Sequence, residues 1–322
     1  MGIVVTGGAG FIGSCIVRSL NDRGIEDITI VDNISSTDKW MNLRNKKYRE
    51  YINRDAFLGR LDEFKGNVTH IIHMGACSST TERDFDFLYR NNFEYTKALW
   101  SFSADNGISF IYASSAATYG DGRGGFDDRA DIGELLPLNG YGYSKQLFDL
   151  WAEKQEKTPA QHVGFKFFNV YGPNEYFKGT MASVILHSYD QIREDGKVRL
   201  FKSYRDGYKD GGQLRDFVYV KDICRTVLFM MDHKEISGLF NLGTGRARSF
   251  YDLAKATFDA LGMDTNIEYI DMPEALRGKY QYFTEAKMDK LREAGYREPF
   301  HSLEEGAADY VQNYLMKGRE VY

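Results

Sequence analysis

The chain has 322 residues, 43% of them hydrophobic, enough to bury a large core in one domain or in two that share a boundary. A formal charge of −5, with acidic and basic residues mixed throughout, argues against a nucleic-acid groove. Three widely spaced cysteines, Cys15, Cys77 and Cys224, fit a reducing cytoplasm without disulfides or a metal-ligand pattern, and no apolar run approaches the roughly 18 residues of a membrane span.

The first element is the apolar run "GIVVT", a predicted buried strand stopped by "GGAG". After it, Ile12, Ile16, Val17 and Leu20 recur at helical spacing up to Gly24, and "ITIV" reads as a second strand ending at Asp32. The alternation continues with a strand at "THIIH", a helix over 84–106, a strand at "SFIYA", a helix over "YSKQLFDLWAEKQEK" and a strand at "VGFKFFNV". The "YSK" helix is expected to pack by Leu147, Leu150 and Trp151. Strands alternating with helices predict an α/β fold, a doubly wound parallel Rossmann sheet.

The second half is less regular. It contains a helix near 181–194, a polar loop "SYRDGYKDGGQLRD", a strand leading into a helix at "DFVYVKDICRTVLFMM" and a strand leading into a turn at "GLFNLGTG". Helices are expected near 250–261, 284–294 and 302–316. With five prolines and no linker, the parts are expected to interleave. Residues 1–170, with returning segments near 217–245, form the expected dinucleotide-binding domain, and 171–322 mainly a smaller substrate-binding domain.

"TGGAGFIG" places Gly7, Gly10 and Gly13 between the first strand and its helix. Glycine there permits a tight turn, close backbone approach to a pyrophosphate and close helix–strand packing, and the helix N-terminus offers free N–H groups. The acidic end of the second strand, Asp32, is suited to an adenosine ribose. Lys39 and Arg54 follow as cations for a 2′-phosphate, which favours NADP and leaves NAD as the alternative. No metal is expected.

Further on, "YASSAATYG" supplies Ser115, and "YGYSK" places Tyr141 and Lys145 four apart on one helix face. An ammonium beside a phenol favours the phenolate, so Tyr141 is expected to have a lowered pKa and to act as a base next to a nicotinamide, with Ser115 hydrogen-bonding the same substrate oxygen.

Together "TGGAGFIG", "SSAATYG" and "YGYSK" resemble the extended short-chain dehydrogenase/reductases that act on nucleotide sugars. "HMGACSSTTE", "FNVYGPNEYFKGTMASV" and "LFNLGTGRARSF" are similar, more narrowly, to the family of epimerases that invert C6 of the heptose in an ADP-heptose, for lipopolysaccharide core synthesis. The resemblance spans residues 2 to 315. It implies transient oxidation and re-reduction by a tightly held NADP, with Tyr141 and Lys178 as the two proton-transfer groups on either side of the sugar. It further implies that Phe11, Ile12, Asn33, Ala76, Ser78, Asn92, Val170 and Lys178 meet the cofactor. Ser79, Asn169, Thr180, His187, Phe201, Lys202, Ser203, Tyr204, Arg215 and Tyr280 would meet the substrate, although the 202–214 loop is long for the family. The partner is then a small nucleotide sugar, with no nucleic acid or membrane, and the chain a homo-oligomer. A UDP-glucose 4-epimerase and a non-catalytic NADP-sensing protein are the alternatives; the first needs no base at Lys178.

Overall fold

The computed structural model describes residues 2–277 and 280–322, which include all the expected site residues. Twelve strands appear among them: β1 (Gly2–Thr6), β2 (Ile28–Asp32), β3 (Glu50–Asn53), β4 (Val68–His73), β5 (Ser109–Ser115), β6 (Gln161–Phe167), β7 (Asn169–Tyr171), β8 (Val198–Phe201), β9 (Leu214–Tyr219), β10 (Gly238–Leu242), β11 (Ala247–Ser249) and β12 (Ile267–Ile270). Seven of them form one parallel sheet in the order β10-β6-β5-β4-β1-β2-β3. The chain runs outward from β1 through β2 to β3, then returns to β4 and runs the other way. The strand order therefore reverses between β1 and β4, and that reversal opens a crevice at the strands' carboxyl ends.

The continuous apolar runs of β1 and β2 are buried at every position, as a parallel sheet covered on both faces requires. β3 was not foreseen. It is an edge strand in which only Ile52 is buried, so its sequence "EYIN" carries no apolar run. On one side of the sheet Ile16, Val17 and Leu20 of the Phe11–Asp22 helix are fully buried, and this helix packs against the Val220–Asp232 helix. On the other side Trp100, 1% exposed, lies edge-on to Phe110, Phe148 and Trp151.

Two expected helices differ. The Gly140–Glu153 helix starts earlier and stops sooner than expected, and Leu147, Leu150 and Trp151 are only partly buried. Its inward side carries Ser144, Lys145, Phe148, Asp149 and Ala152 instead. The reason is chemical: Asp149 accepts hydrogen bonds from Ser114 (2.6 Å) and Tyr112 (3.2 Å) of β5, and Lys166 of β6 lies 3.5 Å from it. The helix expected over 284–294 shrinks to Asp289–Glu293, because the N–H groups of Thr284, Ala286 and Lys287 are bound by Leu214, Asp216 and Phe126.

The second half forms two small sheets, β11-β9-β7 and β12-β8, while β10 returns to extend the main sheet beside β6. No described helix is long and apolar enough to cross a membrane.

The aromatic cluster under the sheet makes a stability prediction. Trp100→Ala should lower the unfolding free energy by about 3–5 kcal/mol, the usual cost of emptying a buried aromatic site. Guanidinium unfolding should show it as a lower midpoint with little change in slope.

Candidate active site

A cleft of about 460 Å³ lies at the carboxyl ends of the strands, where Thr6, His73, Ser115 and Phe167 close β1, β4, β5 and β6. The glycine loop forms its floor. Gly7 has φ +68°, and a Cβ there would lie 2.6 Å from the backbone nitrogen of Gly75. A Cβ on Gly13 would lie 2.1 Å from the carbonyl oxygen of Gly7. Only glycine lets the Phe11–Asp22 helix start this close to β1. The helix has no side-chain cap at Gly10, so its first N–H groups are left for a ligand; Gly10, Phe11, Ile12 and Gly13 all line the cleft.

Asp32, 7% exposed, accepts hydrogen bonds from the N–H of Ala9 (2.9 Å) and of Asn33 (2.7 Å), and from the Lys39 ammonium (2.6 Å). One carboxylate thus ties the glycine loop to the end of β2. Asn33, Lys39 and Arg54 line the same end of the cleft, where Arg54 donates to the side chain of Asn91 (2.6 Å).

At the other end, the side chain of Asn139 accepts from the N–H of Gly142 (2.8 Å) and starts the helix just ahead of Tyr141. Lys145 is buried one turn on and donates to the carbonyl of Ala113 in β5 (2.8 Å). Burial lowers its pKa to about 8, against the pull of Asp149. Ser115 caps the next turn by accepting from the N–H of Ala117 (3.1 Å). The expected lowering of the Tyr141 pKa is not found. Burial pushes the phenol up, opposed by the Ser115 hydroxyl, while the Lys145 ammonium donates to the Ala113 carbonyl.

A further part of the lining comes from the loop after β7. Lys178 projects from it with its ammonium 5.2 Å from the centre of the Phe11 ring, at the start of the glycine helix. Burial lowers its pKa, and Glu175 opposes that shift. Tyr141, Lys145, Ser115 and Lys178 therefore line one cleft, although Lys178 is remote in sequence from the other three.

The remaining expected positions divide. Ala76, Ser78 and Val170 line the cleft. Asn92 does not: it is 1% exposed and bonds the backbone of Cys77 and the hydroxyl of Ser144, so that Asn91 takes the lining position. The sequence reading also missed Thr6, His73, Met74 and Phe167, which the carboxyl-end rule for parallel strands would have found. His73 is held by directed bonds. Thr96 donates to Asn92 (2.6 Å), so it must accept from Nε2–H of His73 (2.9 Å), and Thr6 then donates to Nδ1 (2.5 Å). Burial pushes this imidazole down to about 3, which keeps it neutral.

None of Ser79, Asn169, Thr180, His187, Phe201, Lys202, Ser203, Tyr204, Arg215 or Tyr280 lines the cleft itself. Ser79 bonds Thr81 (3.1 Å), Asn169 and Thr180 are exposed, and His187 is half-buried in the Val184–Asp195 helix. The others gather in a second group. The long loop folds back on itself as the N–H of Ser203 meets Asp210 (2.7 Å) and that of Gly211 meets the Phe201 carbonyl (3.0 Å). Arg215 lies under Tyr280, 5.4 Å from the ring centre, and bonds the Gln281 carbonyl; Gln281 in turn donates to the carbonyl of Gly120 (2.8 Å), just past the Ser115 turn. Lys202 and Tyr204 share Asp271, and Arg277, which was not foreseen, stacks on Tyr204 at 3.9 Å.

A parallel sheet with a glycine cradle and a Ser–Tyr–Lys set defines a nicotinamide-dependent class of protein. Residues 3–243 match the NAD dependent epimerase/dehydratase family, and the chain belongs to it. It is 55% identical over 326 residues to the ADP-L-glycero-D-manno-heptose-6-epimerase of Fusobacterium nucleatum, covering 98% of each chain. Among solved structures, the ADP-L-glycero-D-manno-heptose-6-epimerase of Helicobacter pylori superposes with a TM-score of 0.81 at 27% identity, over 97% of this chain and 95% of that one. The UDP-glucose 4-epimerase of Thermotoga maritima, with UDP-glucose, also gives 0.81, at 26% identity over 99% and 100%.

Proposed function

We propose that the protein inverts C6 of the heptose in ADP-D-glycero-D-manno-heptose, giving the L-glycero epimer by transient oxidation and re-reduction. The observation that carries this reading is that Tyr141 and Lys178 line one cleft from separate elements, the Gly140–Glu153 helix and the loop after β7. Inverting a carbon with no activating carbonyl beside it needs a proton-transfer group for each of two epimeric alcohols.

The residues fit a nicotinamide dinucleotide. The uncapped helix at Gly10 and the backbone space that Gly7 and Gly13 leave are suited to a pyrophosphate, and Asp32 to a ribose. Bound there, the nicotinamide would supply a reversible hydride acceptor and, when oxidised, a positive charge that favours the Tyr141 phenolate. The chain's own groups do the rest. Lys145, held by Ala113, keeps an ammonium in the same cleft, one helical turn on from Tyr141. Ser115 supplies a hydroxyl to the substrate oxygen. Tyr141 takes the proton from one epimer's hydroxyl; Lys178 gives or takes it at the other, its burial making the neutral amine accessible. Lys39 and Arg54 at the ribose end favour NADP, since Lys39 already neutralises Asp32.

A UDP-glucose 4-epimerase is the second reading, because a structure of that activity superposes equally well. Lys178 in the cleft favours the heptose reading, which gives it a role. A dehydratase would need an acidic pair between Ser115 and Tyr119, where Ala116, Ala117 and Thr118 stand.

Two outcomes are expected. Tyr141→Phe and Lys178→Met should each slow interconversion of the two ADP-heptose epimers by about 10²–10⁴-fold with dinucleotide still bound, as proton NMR of the C6 signals would follow; wild-type rates in either variant would rule out the two-base assignment. Lys39→Met should weaken NADP relative to NAD by roughly tenfold, the scale of one charge-assisted hydrogen bond. Unchanged preference in a calorimetric titration would refute the NADP assignment.

A further inference from the structure

The mechanism leaves one buried carboxylate unused. Glu175 is 0% exposed, yet it lies three residues before Lys178 in the same loop. One of its oxygens accepts from the N–H of Gly172 (3.3 Å) and the hydroxyl of Ser183 (2.6 Å); the other accepts from the N–H of Ser183 (2.5 Å). All three partners donate, which is the pattern of an ionised carboxylate rather than a protonated one. Its carbonyl also receives the N–H of Lys178 (3.0 Å). Gly172 begins the loop and Ser183 ends it, where Ser183 also caps the Val184–Asp195 helix. One side chain therefore gathers both ends of the segment that presents Lys178.

We infer that Glu175 is the positioning residue of Lys178: its carboxylate closes the 172–183 loop around itself and sets a negative charge three residues before the Lys178 ammonium in that loop. The inference rests on Lys178 acting as a proton-transfer group. Among the titratable groups facing Glu175, the phenols of Tyr176, in the same loop, and of Tyr310, from the Leu303–Tyr310 helix, are both kept un-ionised by burial and by the Glu175 charge. The Lys178 charge opposes the effect of burial on it. The two charges work against each other's desolvation: burial raises the Glu175 pKa and lowers that of Lys178, and each partner opposes the other's shift. A partly buried amine without this carboxylate would lose its proton too readily to return it to the sugar oxygen.

The test is the pH–rate profile of C6 epimerisation by the cofactor-loaded protein, with the two ADP-heptose epimers as substrates. Removing the negative charge in Glu175→Gln should move the limb governed by Lys178 down by about one pH unit. Glu175→Asp keeps the charge but draws it back by one methylene, and should shift the limb less, in the same direction; it serves alone if the glutamine variant does not fold. Ser183→Ala removes a loop bond without touching the charge, so it should leave the limb in place whatever it does to KM. Limbs that stay put in both Glu175 variants, with Lys178→Met inactive, would overturn the inference while leaving the base assignment standing. An active Lys178→Met would remove the premise instead.

Discussion

The cleft depends on how closely the Phe11–Asp22 helix approaches the end of β1. With Gly7 at positive φ and no side chain on Gly13, the helix starts against the Gly7 carbonyl, and its free N–H groups open into the crevice between β1 and β4. A methyl group at Gly13 would collide with that carbonyl and push the helix away. Asp32 then binds the same loop through Ala9, so the end of β2 and the glycine loop are fixed relative to each other. The strand-order reversal makes the crevice, and the glycines make it deep enough to use.

On this frame the protein buries the Lys145 ammonium, partly buries that of Lys178, and sets a carboxylate near each in sequence, Asp149 and Glu175. Burial lowers both lysine pKa values, and the carboxylates hold them back. Neither carboxylate is left bare: Asp149 is bonded by β5 hydroxyls and approached by Lys166, and Glu175 by backbone and hydroxyl donors. Unpaired, any of these charges would cost several kcal/mol to bury. The same pairing suits chemistry in which a proton must be both taken and returned near neutral pH.

Much of this was legible in the chain. The apolar runs of β1, β2, β4 and β5 could only be buried strands, and "TGGAGFIG" between strand and helix fixed the cradle. The Tyr141–Lys145 spacing settled their common helix face. Lys178 was reached through resemblance, since nothing local marks it. Other features depend on tertiary contacts that periodicity does not encode. The edge strand β3 has one buried residue. The 284–288 backbone is drawn into bonds with β9, Asp216 and Phe126 instead of a helix. The Gly140–Glu153 helix turns polar residues inward because Asp149 has partners on β5. Asn91 and Asn92 are neighbours of one type, and only the fold decides that Asn91 lines the cleft while Asn92 braces Cys77. The direction of the Tyr141 shift also escaped, because spacing reports that two groups share a helix face but not how deeply the phenol is buried.

The central claim is that C6 is inverted by removing and returning the same hydrogen. The most direct measurement is proton NMR of the purified protein with ADP-D-glycero-D-manno-heptose in deuterated water and no added cofactor. The account predicts a mixture of the two C6 epimers that both retain protium at C6. Deuterium at C6 of the product would mean that the carbon exchanges its hydrogen with solvent, and would contradict transient oxidation.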